Sequence, residues 1–266
     1  MNTSWRKSSL LAMTFALLFL LAVPAWAATL APTRFVPGDD AAGPAAGDQM
    51  TPAIAAGGGS FLAVWSDERA IPASPIYWFE FETSNDIYAM RLDAAGNPLD
   101  AVPFPVTSGR ASQERPQVVW NGTNWLVVYE SYAVGGTGYY EKSLEAVRVS
   151  PAGLVLDPQP IVLHGVVPTG GLWTAASDGT NWVIVFDGSN ASNDIMAVRI
   201  SPAGVVLDPP NRTLVRATYY LRFNLRLAYA AGVFLLTWAD SPGTMAIRFD
   251  QNLDVLDPAP LPLLAG

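Results

Sequence analysis

Arginine and aspartate, nine positions apart, carry the most regular chemistry in this 266-residue chain. Arg91 and Asp100, Arg148 and Asp157, Arg199 and Asp208, and Arg248 and Asp257 repeat the spacing. A guanidinium can grip a carboxylate through two parallel N–H bonds, so such pairs could seize an anionic ligand or tie two segments together. A functional site would rarely recur once per repeat, so the ladder reads as structural. If Gly153 makes a bulged three-residue turn, Arg148 sits opposite Leu156 and Asp157 projects to the other face. The two need not pair directly. Aspartate before proline shapes a turn, and the arginine is then free to bond loop carbonyls of a neighbouring repeat.

Other chemistry is sparse. His164 is the only histidine, and there is no cysteine, so neither a thiolate site nor a typical zinc site is expected. "DGSNASND" (Asp187–Asp194) has the spaced oxygens of a calcium loop but no closing glutamate. "SND" recurs at Ser84–Asp86 and Ser192–Asp194, where capping a hairpin is the plainer role. No metal or cofactor is therefore expected, with calcium as the alternative. No nucleophile elbow, zincin helix or phosphate-binding glycine loop is present. A carboxylate pair can hydrolyse a glycosidic bond, but Glu80, Glu82 and the other acidic side chains leave the pairing open. Asn121, Asn190 and Asn211 begin glycosylation sequons, and a tight turn already accounts for Asn121.

The elements that must position these residues are themselves repeated. "AMRLDAAGNPLD" (Ala89–Asp100), "AVRVSPAGLVLD" (Ala146–Asp157), "AVRISPAGVVLD" (Ala197–Asp208) and "AIRFDQNLDVLD" (Ala246–Asp257) are four copies of one segment. Upstream of each lies an apolar segment, ending at Trp65, Tyr129, Phe186 and Trp238. With one short segment before and one after, each repeat is four strands, A to D. Asn121-Gly122 and Asp178-Gly179 suit tight A–B hairpin turns. Ser150–Gly153 suits a type I turn joining C to D. Strand B is apolar throughout, which predicts cover on both faces. Strand C alternates, and no helical periodicity occurs beyond the first residues.

Four antiparallel strands in about 50 residues predict an all-β fold, a β-propeller of about four blades with five as the alternative. A β-helix and a β-sandwich are the competing folds. The repeats are near 50–106, 107–163, 164–215 and 216–264. "NGTNWLVVY", "NDIYAMRLDAAGNPLD" and "NDIMAVRISPAGVVLD" resemble the units of secreted bacterial β-propeller repeat proteins. That resemblance covers nearly all of the chain after its leader. It implies a fold and an exported location, and no activity. The likeness to WD40 and kelch propellers is one of architecture only.

Arg6 and Lys7 precede the apolar run Leu10–Val23, and Ala25 and Ala27 precede the expected cut. Residues 1–27 thus read as a signal peptide and 28–266 as one propeller domain, secreted, periplasmic or on the cell surface. No membrane span is expected after cleavage. Formal charge moves from -8 to -10 on losing Arg6 and Lys7, which disfavours nucleic acid as a partner.

Repetition fails in the B–C connections. Repeat four has only "DSPG" (Asp240–Gly243), whereas repeat two has Glu130–Lys142 and repeat one Asp67–Ser84. B–C and D–A connections leave a blade at the same end. One face therefore gathers Tyr77, Trp78, Phe79, Arg110, Tyr139, Tyr140, Tyr219 and Tyr220. Aromatics with arginine suit a ligand platform. Alternation in "IYWFEFE" fits an extended hairpin packed on a blade equally well. The leading expectation is a non-enzymatic exported propeller that binds a glycan or protein there. The alternatives are a glycan-active hydrolase or lyase, and a structural repeat module of a larger surface protein.

Overall fold

Apolar residues run without a break through Trp125–Tyr129 and Trp182–Phe186, and all ten side chains are fully buried. A strand sends successive side chains to opposite faces, so each of these strands is covered on both sides. The structure, a computed structural model, describes residues 47–69, 85–107, 111–134, 140–164, 172–188, 194–209, 211–216, 222–240 and 243–264. All lie within one unit, Val36–Gly266. The expected signal peptide lies outside the described residues.

Four sheets of four strands are described. The first holds β1 (Gln49–Gly57), β2 (Ser60–Asp67), β3 (Asp86–Leu92) and β4 (Phe104–Pro105). The second holds β5 (Ser112–Trp120), β6 (Trp125–Val134), β7 (Tyr140–Val149) and β8 (Ile161–His164). The third holds β9 (Trp173–Ser177), β10 (Trp182–Asp187), β11 (Ile195–Ile200) and β12 (Arg212–Val215). The fourth holds β13 (Arg222–Ala230), β14 (Val233–Asp240), β15 (Gly243–Asp250) and β16 (Leu261–Leu264). Every pairing is antiparallel and follows chain order. The first strands of successive sheets pack on one another, β1 on β5, β5 on β9 and β9 on β13. These strands are the inner ones, and each sheet is a blade. The fold is a β-propeller. No helix occurs among the described residues, and none there is long and apolar enough to cross a membrane.

Turn chemistry sets the register. Asn121 Oδ1 accepts from the backbone N–H groups of Thr123 and Asn124, and Asp178 Oδ1 from those of Thr180 and Asn181. Gly153 and Gly204, both at φ 82, close the C–D turns of blades 2 and 3 in the left-handed region that favours glycine. In blade 4 Leu253 adopts φ 64 at the same place and buries its side chain in the core.

The core lies between blades and repeats with them. Leu62 and Val64 of blade 1 meet Trp125, Val127 and Tyr129 of blade 2. Leu126 and Val128 meet Trp182, Ile184 and Phe186 of blade 3. Val183 and Val185 meet Phe234, Leu236 and Trp238 of blade 4. In blades 2 and 3 both faces of strand B are thus used, one towards each neighbour.

Candidate functional site

The Arg–Asp ladder pairs directly in all four blades, which corrects the expectation that the two residues need not meet. Guanidinium Nη2 to carboxylate Oδ1 distances are 2.7 Å for Arg148–Asp157, 2.9 Å for Arg199–Asp208 and 2.6 Å for Arg248–Asp257, and Arg91–Asp100 forms the same bond. The physical reason is a second bond. Leu156 N–H closes onto the Arg148 carbonyl, and the chain then turns so that Asp157 Oδ2 accepts from Arg148's own backbone N–H at 2.7 Å. The carboxylate is thereby brought back over the guanidinium. The free edge of the arginine crosses to the next blade. Nη1 donates to the carbonyl of Pro151 from Arg91, of Pro202 from Arg148 and of Gln251 from Arg199, at 2.8–3.0 Å. Burial alone would raise the Asp208 carboxyl, but the Arg199 side chain and N–H bonded to it hold it below the usual carboxylate range. From Arg91, Arg148 and Arg199 the ladder joins blades and leaves no edge for a ligand.

Ionisable groups also collect where strand B meets the B–C connection. Asp67, Asp187 and Asp240 end that strand, and Glu130 takes the same repeat position inside the longer β6. Asp67 is fully buried and closed on itself: Trp65 Nε1 donates to Oδ2 at 2.7 Å, and Arg69 donates to both oxygens at 2.9 and 2.6 Å. Arg69 also lies 4.1 Å above the Tyr88 ring. Burial would raise this carboxyl, and the Arg69 and Trp65 bonds hold it low instead.

Blade 2 is different. Glu114 on β5 and Glu130 on β6 stand directly opposite in register, so both carboxylates leave the same side of the sheet. Glu130 is buried among donors. Arg115 Nη1 lies 3.1 Å from Oε1, and Tyr132 OH donates to Oε2 at 2.8 Å. Lys142 Nζ lies 2.7 Å from Oε2. Among the described residues Glu114 accepts from neutral donors, Ser112 Oγ at 3.2 Å and Asn85 Nδ2 at 3.5 Å. Burial pushes the Tyr132 phenol up and the Glu130 carboxylate adds to this, so Tyr132 keeps its proton and donates. A β-bulge between Glu114 and Gln117 sets this end of the strand, with Arg115 at φ 54.

Two buried polar atoms beside these carboxylates have no hydrogen-bond partner among the described residues. Lys142 Nζ is close to Glu130 but out of line for a hydrogen bond, and Asn85 Oδ1 has no donor. Both side chains are more than nine-tenths buried. A buried donor or acceptor left unmade costs about 1–3 kcal/mol. The arrangement is therefore a carboxylate pair flanked by one unsatisfied donor and one unsatisfied acceptor. Sugar hydroxyls do both jobs, since each donates one bond and accepts others.

Of the residues singled out in the sequence, Tyr77, Trp78, Phe79, Arg110, Tyr139, Tyr219 and Tyr220 lie outside the described residues. Tyr140 opens β7 opposite Val134. His164 ends β8 opposite Leu144. Glu80 and Glu82 also lie outside, as does the middle of the acidic loop after Asp187. Among the described residues no three His, Asp or Glu side chains gather closely enough to hold a metal ion. Sequence reasoning missed the Glu114, Glu130, Tyr132 and Lys142 cluster. A signal existed: Glu130 extends an otherwise apolar strand, and Lys142 is the only lysine besides Lys7.

No protein-family model and no curated protein matches the chain. Solved structures do. An alpha-L-arabinofuranosidase from Lactobacillus brevis matches at 13% identity and TM-score 0.47, over 80% of this chain and 72% of its own. A GH43_1 enzyme from Xanthomonas citri, complexed with xylose, matches at 14% and 0.47, over 78% and 74%. The GH32 beta-fructofuranosidase BmSUC1 of Bombyx mori matches at 11% and 0.48, over 81% and 50%. These matches correct the expectation of a non-enzymatic binding module. The similar structures are described as glycoside hydrolases.

Proposed function

We propose that the chain is an exported glycan-active hydrolase whose reacting groups are Glu114 and Glu130. The observation that carries this reading is the paired carboxylates on adjacent strands, flanked by the unsatisfied Lys142 ammonium and Asn85 amide oxygen. Glycoside hydrolysis needs two carboxyl groups in unlike surroundings, one to give a proton to the leaving oxygen and one to work on the anomeric side. Glu130, gripped by Arg115, Tyr132 and Lys142, suits the ionised role. Glu114, held by Ser112 and Asn85, suits the acid. Tyr77, Trp78, Phe79, Arg110, Tyr139, Tyr140, Tyr219 and Tyr220 belong by sequence to connections at the same blade ends, and in this reading they supply faces on which sugar rings stack. Export rests on the Arg6–Ala27 leader.

The test is a panel of plant, fungal and bacterial glycans with detection of new reducing ends. Turnover by the native chain that falls at least 100-fold in both Glu130→Gln and Glu114→Gln, with unchanged circular dichroism, is the expected result. Turnover indifferent to both substitutions, or no turnover across the panel, overturns the proposal.

A further inference from the structure

Three of the four ladder arginines reach the next blade, and the fourth reaches no blade among the described residues. Arg248 spends its N–H, Nε and Nη2 on Asp257, while Nη1 has no partner among the described residues. Its side chain is 52% exposed, against 16–20% for Arg91, Arg148 and Arg199. Leu235 lies beside it on the same face. Its counterparts Leu62, Leu126 and Val183 are fully buried by the following blade, but Leu235 is 41% exposed. Blade 4 therefore presents a complete outgoing half of the blade junction.

Blade 1 presents the incoming half. A Cβ on Gly153 or Gly204 would lie 2.8 Å from the arginine Nε of the blade before, whereas a Cβ on Gly96 would meet nothing within 4 Å. The Ala94 carbonyl, counterpart of the Pro151 and Pro202 acceptors, receives no arginine among the described residues. Phe61, Ala63 and Trp65 are only partly buried, while their counterparts Trp125, Val127 and Tyr129 are fully covered.

We propose that these two free faces receive one further four-stranded blade of the same repeat type, which completes the ring. A single such unit carries both missing parts: a C–D turn whose carbonyl and glycine accept Arg248, and an Arg–Asp pair whose guanidinium covers Gly96. Its apolar strand B shields Leu235 on one side and Trp65 on the other, as at the three filled junctions.

The experiment appends a copy of residues 164–215 after Gly266 and measures the melting temperature and molar mass of both chains, each with and without Leu235→Asp. The expected result is a monomeric extended chain that melts higher by on the order of 5 °C or more. Leu235→Asp should change the native chain little and lower the melting temperature of the extended chain. An unchanged melting temperature, or a Leu235→Asp effect equal in both chains, overturns the proposal. So does a native chain that associates and is dissociated by Leu235→Asp, because a second copy would then be the occupant.

Discussion

Lys142 and Asp157 are both partnered ionic residues, yet their surroundings assign them opposite roles. Asp157 accepts from the guanidinium and the backbone of Arg148, and that guanidinium continues to Pro202 of the next blade. Each group is satisfied, and the unit is mechanical. Asp157→Ala would leave a mostly buried guanidinium without its carboxylate and should cost about 2–3 kcal/mol in urea denaturation. Asp257→Ala should cost less, because Arg248 is half exposed and water screens it. Lys142 is paired by charge with Glu130 at 2.7 Å and lies 5.0 Å from the Tyr132 ring, with no in-line hydrogen bond among the described residues. Asp67 and Asp208 add a pH dependence. Their carboxyls are held below the ordinary 3.8, so their stabilisation is fully present above that value and is lost as pH falls through the lower folded values. The urea midpoint should be flat from pH 7 to 5 and fall steeply below about pH 3.8, as a denaturation series across that range would record.

At the scale of elements, the C–D hairpin is the unit that the sequence makes most legible. Its arginine, turn glycine and aspartate recur in phase, and the structure uses each as a junction part. The direct Arg–Asp pair was less legible, because alternation along an ideal strand sends the two residues to opposite faces. Only the turn after Leu156 brings the carboxylate back. The catalytic candidate was harder still. Glu114 and Glu130 are 16 residues apart and come together through a bulged hairpin register that no residue spacing announces. The aromatic connections drew attention because they break the repeat, while the orphaned donor and acceptor became visible only through burial. Gly153 and Gly96 separate backbone strain from junction packing. Each sits near φ 80, so alanine at either should cost about 1–2 kcal/mol from conformation alone. Gly153→Ala should cost measurably more, since its Cβ displaces Arg91, and thermal denaturation of the two variants compares them directly.

For the whole molecule, strand B of blades 2 and 3 couples each of them to both neighbours. Val183 faces blade 4 while Trp182 faces blade 2, so truncating either side should unsettle more than one blade. Leu126→Ala should cost about 2–5 kcal/mol and shift a single cooperative transition rather than split it, read by calorimetry. A rigid frame of this kind can hold two carboxylates in fixed register while the connections at the blade ends vary. The central claim is that the Glu114 and Glu130 pair cleaves a glycosidic bond with water. Mass spectrometry of products formed in ¹⁸O-labelled water tests it most directly. The account predicts one ¹⁸O at each newly formed reducing end and none in the departing fragment, with the labelled product lost in Glu130→Gln. Products without the label, or labelled product undiminished in Glu130→Gln, would contradict it.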